Sequence, residues 1–144
     1  MTTTLPEPID LSAYADRVNT ARDEGCTMLL ATANDRQPDV SLRGSFMVWD
    51  RDHLAFWERS LSESYEGLQR NPMIAAFYFC PARKERPLRF YGEATAVTDA
   101  DLRERVWERV VESEKRGDPD KKGIAYLVRV DRVRFGRDVV QQRE

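Results

Sequence analysis

The sequence predicts a single α+β domain in which about six antiparallel strands form a barrel and helices pack against it. Short apolar or alternating segments outnumber segments with helical periodicity, and turn clusters of hairpin length follow residues 33 and 49. This pattern favours an antiparallel barrel with packed helices over a doubly wound parallel sheet. The 144 residues are enough to bury a core, so residues 1–144 are expected to be one domain.

Apolar spacing and capping residues predict three helices, which cover residues 10–24, 60–70 and 99–115. Asp10 is the expected N-cap of the first helix, and Thr98 or Asp99 caps the third. Pro72 follows the second helix, and a residue before proline avoids the helical region. The helices therefore lie before, between and after groups of predicted strands.

Six strands are predicted, covering residues 26–33, 39–49, 53–57, 73–80, 88–98 and 124–135. Alternation within the second strand assigns Val40 and Leu42 to the core face and Arg43 to the opposite face. Gly92 in the fifth strand predicts a bulge or a close backbone approach. The tail after residue 136 is expected to fray.

Charge and hydropathy argue against two classes of partner, although arginines cluster late in the chain and leave a basic local patch open. The formal net charge of −2 and the pI of about 5.6 provide no basic field that would attract a nucleic acid. No apolar run approaches the ~20 residues that span a bilayer, so no membrane partner is expected. The N-terminus lacks the basic and apolar regions of a secretory signal, which predicts a cytoplasmic protein.

Cysteine and histidine are too few to predict a metal site. Cys26 and Cys80 lie in or beside apolar segments, which predicts two free thiols in the core. A redox pair would need them close in space, which the sequence does not show. The single histidine, His53, lies in a turn, and no zinc site of the usual composition is expected.

Several short motifs occur in a fixed order over about half of the chain. They are Leu29-Leu30-Ala31-Thr32-Ala33, Pro38 opening the strand of Arg43, Leu54-Ala55-Phe56-Trp57, Leu68-Gln69-Arg70-Asn71-Pro72 and Arg89-Phe90-Tyr91-Gly92-Glu93-Ala94. Together they resemble the pyridoxamine 5′-phosphate oxidase-like family of FMN-binding split β-barrels. The resemblance implies a six-stranded antiparallel split β-barrel with flanking helices.

The same resemblance implies a homodimer with FMN bound in two clefts between the subunits. It implies that Arg43 contacts the FMN phosphate and that the helix start at residues 60–64 supplies hydroxyl and N–H groups. An arginine fork beside a helix N-terminus is chemically suited to a phosphate. The candidate cofactor-binding residues are Arg43, Ser45, Arg59, Ser60, Ser62 and Ser64.

The chain departs from the family pattern around these candidates. Ser64 stands where members often carry a basic residue, and Glu58 and Glu63 add negative charge where an anion would lie. Apolar residues 46–48 replace a second basic residue of the Arg43 strand. Structural roles also fit the candidates, because a strand arginine can be solvated and a serine can cap a helix.

The predicted function is that of an FMN-dependent oxidoreductase, in which the protein orients the flavin and tunes its electrostatics. No nucleophile–base pair supports hydrolysis, and no catalytic residue or substrate is identified. One alternative is a non-catalytic module that binds flavin, a deazaflavin or haem, and another is an enzyme that uses a deazaflavin. Met47, Trp49 and Trp57 are assigned to the core or to the dimer interface.

Overall fold

A computed structural model describes residues 5–34, 37–60 and 63–144, which form an antiparallel sheet curled into a half-barrel with a few helices. The strands are β1 (Met28–Thr32), β2 (Asp39–Arg43), β3 (Met47–Val48), β4 (His53–Glu58), β5 (Met73–Tyr78), β6 (Leu88–Ala96), β7 (Ile124–Phe135) and β8 (Asp138–Gln142). The helices are α1 (Ala15–Val18), α2 (Glu63–Arg70), α3 (Ala100–Arg109) and α4 (Glu112–Lys115), with 3₁₀ turns at Leu11–Tyr14 and Pro81–Arg83.

The sheet has the strand order β2-β1-β5-β6-β7-β4-β3, and β8 pairs with β7. The predicted α+β split-barrel fold is confirmed. The described residues contain eight strands rather than six, because the predicted strand 39–49 is divided and the tail forms β8. The prediction of a frayed tail is therefore wrong: Gln141 is buried and exchanges hydrogen bonds with the backbone of Asp10.

The main core lies inside the curl of the sheet. Leu30, Leu54, Phe56 and Phe90 are fully buried there, and Leu11 of the first 3₁₀ turn belongs to the same buried cluster. Burying a side chain of this size stabilises the fold by about 1.5–3 kcal/mol. The predicted irregularity in β6 is present, since the register with β7 shifts at Gly92, where a Cβ would clash with the Arg129 carbonyl oxygen.

The outer surface of β3, β4 and β7 carries a second apolar cluster, called here the covered face. Its strand residues are Met47, Ala55, Trp57, Ala125 and Leu127. Helix α3 packs on them through Val106 and Trp107, and the Trp57 and Trp107 rings are 4.8 Å apart. Asp99 caps α3 by accepting the N–H of Leu102 at 2.8 Å, as predicted. Met47 and Trp57 are therefore buried by the chain's own helix.

The outer surface of β2, β1, β5 and β6 has no such cover among the described residues and is called here the open face. Its cross-strand rows are Leu42–Leu29–Phe77–Arg89 and Val40–Ala31–Ala75–Tyr91. Val40 and Leu42 are 61% and 64% exposed, so their assignment to the core is wrong. The register pairs Arg43 with the buried Met28, which places the odd-numbered residues of β2 on the inner side.

Two predicted helices are shorter in the structure. Residues 10–24 form the 3₁₀ turn Leu11–Tyr14 and the single turn of α1, followed by further turns up to Gly25. Residues 99–115 divide into α3 and α4, because Val110 and Val111 adopt extended backbone angles. Helix α2 ends at Arg70, directly before Asn71-Pro72, as predicted.

The two cysteines form a disulfide, so the prediction of two free thiols is wrong. Cys26 precedes β1 and Cys80 follows β5, and these two strands pair antiparallel. Neighbouring antiparallel strands bring the start of one beside the end of the other, which gives a Cα separation of 5.3 Å. The contact depends on a non-local pairing across 54 residues of sequence, which the local pattern did not show.

Candidate functional site

A cleft with a volume of about 360 Å³ opens where β2 and β4 end. Its polar lining residues are Arg22, Thr27, Arg43, Glu58, Arg59, Ser60 and Glu114. Three arginines and two glutamates thus meet in one small space. The cleft also borders the open face, because Leu42 belongs to both.

A turn that ends β2 brings Arg43 into the cleft. The extended backbone is interrupted by a turn at Gly44 and Ser45 before it resumes as β3. The Ser45 hydroxyl accepts the backbone N–H of Trp57 at 2.9 Å and donates to the Trp57 carbonyl at 3.0 Å. These two bonds hold the turn against β4, so Arg43 lies beside the end of that strand.

The Arg43 guanidinium makes four hydrogen bonds to groups of this chain. Its Nε and Nη2 donate to Glu58 Oε2 at 2.9 and 2.7 Å, and Nη2 also donates to Ser64 Oγ at 2.5 Å. Its Nη1 donates to the Leu42 carbonyl at 2.8 Å. All three nitrogens of the guanidinium therefore have acceptors before any ligand is added.

Glu58 is the buried partner in this pair, with a side chain that is 1% exposed. Burial raises the pKa of the Glu58 carboxyl, and the charge and hydrogen bonds of Arg43 offset part of that rise. The second oxygen, Oε1, accepts the backbone N–H of Ser60 at 3.3 Å. Burial, together with Tyr65 and Glu58, also raises the pKa of Tyr126 to about 12.

A second ion cluster also lines the cleft. Glu114 of α4 is 3.4 Å from Arg22 Nε and 4.0 Å from Arg59 Nη2. Gly44 allows this approach, because a Cβ there would lie 2.7 Å from the Arg22 side chain and 2.8 Å from that of Glu114. Each arginine of the cleft thus has a carboxylate neighbour within the described chain.

Trp57 forms part of the cleft wall, and a hydrogen bond to Asp118 holds its indole ring. The indole N–H donates to Asp118 Oδ2 at 2.8 Å, and the same carboxylate accepts the backbone N–H groups of Lys122 and Gly123. Burial alone would raise the pKa of Asp118, but these hydrogen bonds, first that from Trp57, lower it below its usual value. The loop after α4 is thereby anchored to β4.

The structure brings most of the predicted site residues together. Arg43, Arg59 and Ser60 line the cleft, and Ser64 accepts a hydrogen bond from Arg43. Ser45 is buried, and its hydroxyl is used by Trp57 rather than directed into the cleft. Ser62 lies outside the described residues.

Sequence reasoning missed Glu58 as the partner of Arg43, and it missed Arg22 and Glu114. Alternation within β4 carried a signal for Glu58, because this residue shares the inward side with Leu54 and Phe56 of the core. An acidic residue in a core register requires a cationic partner. Arg22 and Glu114 come from distant segments and had no comparable local signal.

The described part of the chain holds neither a metal-binding cluster nor a membrane-spanning helix. No group of three or more histidine, cysteine, aspartate or glutamate side chains has a metal-binding arrangement in residues 5–34, 37–60 and 63–144. Over the same ranges, no helix combines the length and apolar character needed to cross a membrane.

Comparison with known sequences gives a match over most of the chain. The sequence profile of the pyridoxamine 5′-phosphate oxidase family matches residues 15–135. This segment runs from α1 to the end of β7 and contains the whole cleft. No curated protein sequence is similar enough to count as a match.

Several solved structures share the fold at low sequence identity. HupZ of Group A Streptococcus superposes with a TM-score of 0.70 at 17% identity, covering 90% of this chain and 96% of that one. An FMN-binding protein from Syntrophomonas wolfei gives a TM-score of 0.67 at 9% identity, covering 85% and 86%. An F420 reductase gives 0.58 at 23% identity, covering 76% and 89%.

Proposed function

Because the chain belongs to the pyridoxamine 5′-phosphate oxidase family, we propose that it is a homodimeric oxidoreductase that binds a flavin-type cofactor. The cleft at Arg43 binds the polar ribityl chain of that cofactor. The single observation that carries this proposal is the position of the cleft, which combines arginine and backbone N–H donors and borders an uncovered apolar face. A planar flavin ring needs apolar contact, and its side chain needs polar groups.

The open face supports the dimer. Exposed apolar patches of this kind mark interaction sites on soluble proteins. The described chain leaves Val40 and Leu42 of β2 and Met73 of β5 exposed, on the two strands that flank β1. A second copy docked on this face would cover them and, through Leu42, would form a wall of the cleft. The cofactor would then lie between two subunits.

The residues present do not fit the phosphate of FMN in the arrangement that the structure shows. Arg43, the expected phosphate ligand, is paired with Glu58, and the Ser60 N–H is directed at the same carboxylate. Arg22 and Arg59 share Glu114. The cofactor class in this proposal is therefore flavin-type, and no reaction step is assigned to a bound phosphate.

A non-catalytic binding module is the second candidate, and the composition of the cleft favours it. Its ionisable lining consists of arginines and two ion-paired glutamates, with no histidine, cysteine, tyrosine or lysine among the described lining residues. The two glutamates are thus the acid–base groups of the described lining, both are engaged in ion pairs, and hydride transfer by a flavin often needs no protein acid or base. A deazaflavin is an alternative ligand of the same shape, and an F420 reductase shares the fold.

Absorption spectroscopy and mass spectrometry of the ligand that co-purifies would test the proposal directly. A flavin or deazaflavin spectrum, or saturable binding of added riboflavin or FMN, is the expected result. Repeated reduction by a nicotinamide cofactor and reoxidation by oxygen would support an oxidoreductase, whereas a bound flavin inert to both would support the binding module. Absence of binding to every flavin tested would contradict both.

A further inference from the structure

Glu58 is a buried carboxylate that accepts hydrogen bonds from two donors of the cleft, the Arg43 guanidinium and the Ser60 backbone N–H. Arg43 reaches one of its oxygens with two nitrogens, at 2.9 and 2.7 Å, and the Ser60 backbone N–H reaches the other at 3.3 Å. Its side chain is 1% exposed and that of Arg43 is 13% exposed, so water screens this pair weakly.

The groups that surround Glu58 are of the kind that hold a phosphate. A guanidinium fork and a backbone N–H together provide directed donors and positive charge for an anion. In this chain the Glu58 carboxylate already accepts hydrogen bonds from both the guanidinium of Arg43 and the backbone N–H of Ser60. A phosphate brought to the same donors would lie beside a buried negative charge, and two like charges in a poorly hydrated site disfavour one another.

We propose that Glu58 sets the ligand selectivity of the cleft by acting as the built-in counter-ion of Arg43, so that the cleft takes a flavin-type ligand without a terminal phosphate. This inference rests on the proposed function, because it concerns the same cleft and the same class of ligand. The hydroxyl groups of a ribityl chain suit the site, since a hydroxyl can donate to a glutamate and accept from an arginine.

The other arginines of the cleft do not replace Arg43 as a phosphate site. Arg22 and Arg59 lie beside the same carboxylate, that of Glu114, which is 12% exposed. Their side chains are 41% and 47% exposed, so water competes for their N–H groups. Phosphate recognition would therefore depend on displacing Glu58 from Arg43.

The first arm of the test is a titration of the unmodified protein with riboflavin and with FMN, in which quenching of flavin fluorescence measures binding. FMN is expected to bind no more tightly than riboflavin. The second arm is Glu58→Gln, which keeps the shape and an acceptor oxygen but removes the charge. Since a hydrogen bond to a charged group then becomes available, FMN should bind about ten- to a hundredfold more tightly, with riboflavin little changed.

Two further variants show whether the gain acts through Arg43. Glu104→Gln removes a carboxylate of equal charge that is paired with Lys121 outside the cleft lining, and it should alter neither affinity. Arg43→Met combined with Glu58→Gln leaves no charge at the pair, and it should abolish the gain for FMN. Replacing both partners avoids leaving one buried charge unpaired, so this double variant is expected to fold.

The outcomes separate this inference from the proposed function. Binding of FMN by the unmodified protein about tenfold or more tightly than riboflavin would overturn the inference and leave flavin binding in place. An equal change of both affinities in Glu58→Gln, or no change, would overturn it in the same way. Failure of the unmodified protein and of Glu58→Gln to bind either flavin would overturn the proposed function, and the inference with it.

Discussion

The covered face and the open face are two halves of the outer surface of one sheet, and both are apolar. On the covered face, Trp107 of α3 packs against Trp57, and both side chains are buried. On the open face, Val40 and Leu42 occupy outward positions of β2 and remain largely exposed. The two halves differ in their helical cover, because α3 packs over β4 and β7, whereas no described segment covers the outward side chains of β2.

This contrast shows that outward apolar side chains alone do not identify a subunit interface. Met47 and Trp57 were expected at the core or at a dimer interface, and the chain itself buries them. Val40 and Leu42 were expected in the core, and they form the surface that we propose a second copy covers. The same type of residue serves intramolecular packing in one half and, in our proposal, association in the other.

Removal of the central side chain of α3 should have the largest effect on stability. Trp107→Ala deletes a ring that is 8% exposed and leaves a cavity against Trp57, which is expected to cost about 3–5 kcal/mol of unfolding free energy. Urea unfolding followed by circular dichroism measures this loss. Trp49→Ala, at the half-buried edge of the same cluster, is the matched control and should cost less. Equal losses would show that α3 does not hold the covered face together.

Loss of the Asp118 hydrogen bonds that hold Trp57 should have an intermediate, pH-dependent effect on the free energy of unfolding. Asp118→Asn replaces one acceptor oxygen by an NH₂ group that must face a backbone or indole N–H, which is expected to cost about 1–3 kcal/mol. Because folding lowers the pKa of Asp118 below its ordinary 3.8, the unfolded chain binds its proton first as the pH falls. The stabilisation is therefore complete above pH 3.8 and is lost as the pH falls through the folded-state pKa.

Unfolding of the unmodified protein and of Asp118→Asn at a series of pH values would measure this effect. The two free energies of unfolding should differ most near neutral pH and should converge in acid. A gap that stays constant down to the acid limit would contradict the assigned role of the Asp118 charge.

A charge on the open face should weaken association with little effect on the subunit itself. Val40→Lys places an ammonium group in the proposed interface, and we expect at least about a tenfold weaker dimer, equivalent to about 1.4 kcal/mol. Sedimentation equilibrium gives the dimer constant, and circular dichroism shows whether the fold is retained. Thr98→Lys, at an exposed position outside the open face, is the control and should leave the dimer unchanged. A similar loss with both variants would place the interface elsewhere.

The elements whose local sequence carries strong patterning were predictable. The bulge at Gly92, the Asp99 cap and the end of α2 before Pro72 each have a short-range physical cause, and each occurs as predicted. The family resemblance implied that Arg43 lies beside a helix start, and in the structure Arg43 donates to Ser64 of α2. Its role as a cofactor ligand stays a prediction.

The remaining features depend on contacts between distant segments. The turn at Gly44 and Ser45 reverses which face of the strand is buried, and the pairing of Arg43 with Met28 decides this outcome. The Cys26–Cys80 disulfide likewise requires the pairing of β1 with β5. The Glu58–Arg43 pair needs both β2 and β4 in place, so its local signal was only the inward register of Glu58.

Sedimentation equilibrium of the unmodified protein at micromolar concentration is the decisive experiment for the shared cleft. In our proposal, a second copy covers the open face and completes the cleft. We therefore expect a single species of twice the 16.7 kDa chain mass, which dissociates when Val40 is replaced by lysine. A species of 16.7 kDa throughout the concentration range would contradict both the dimer and the shared cleft.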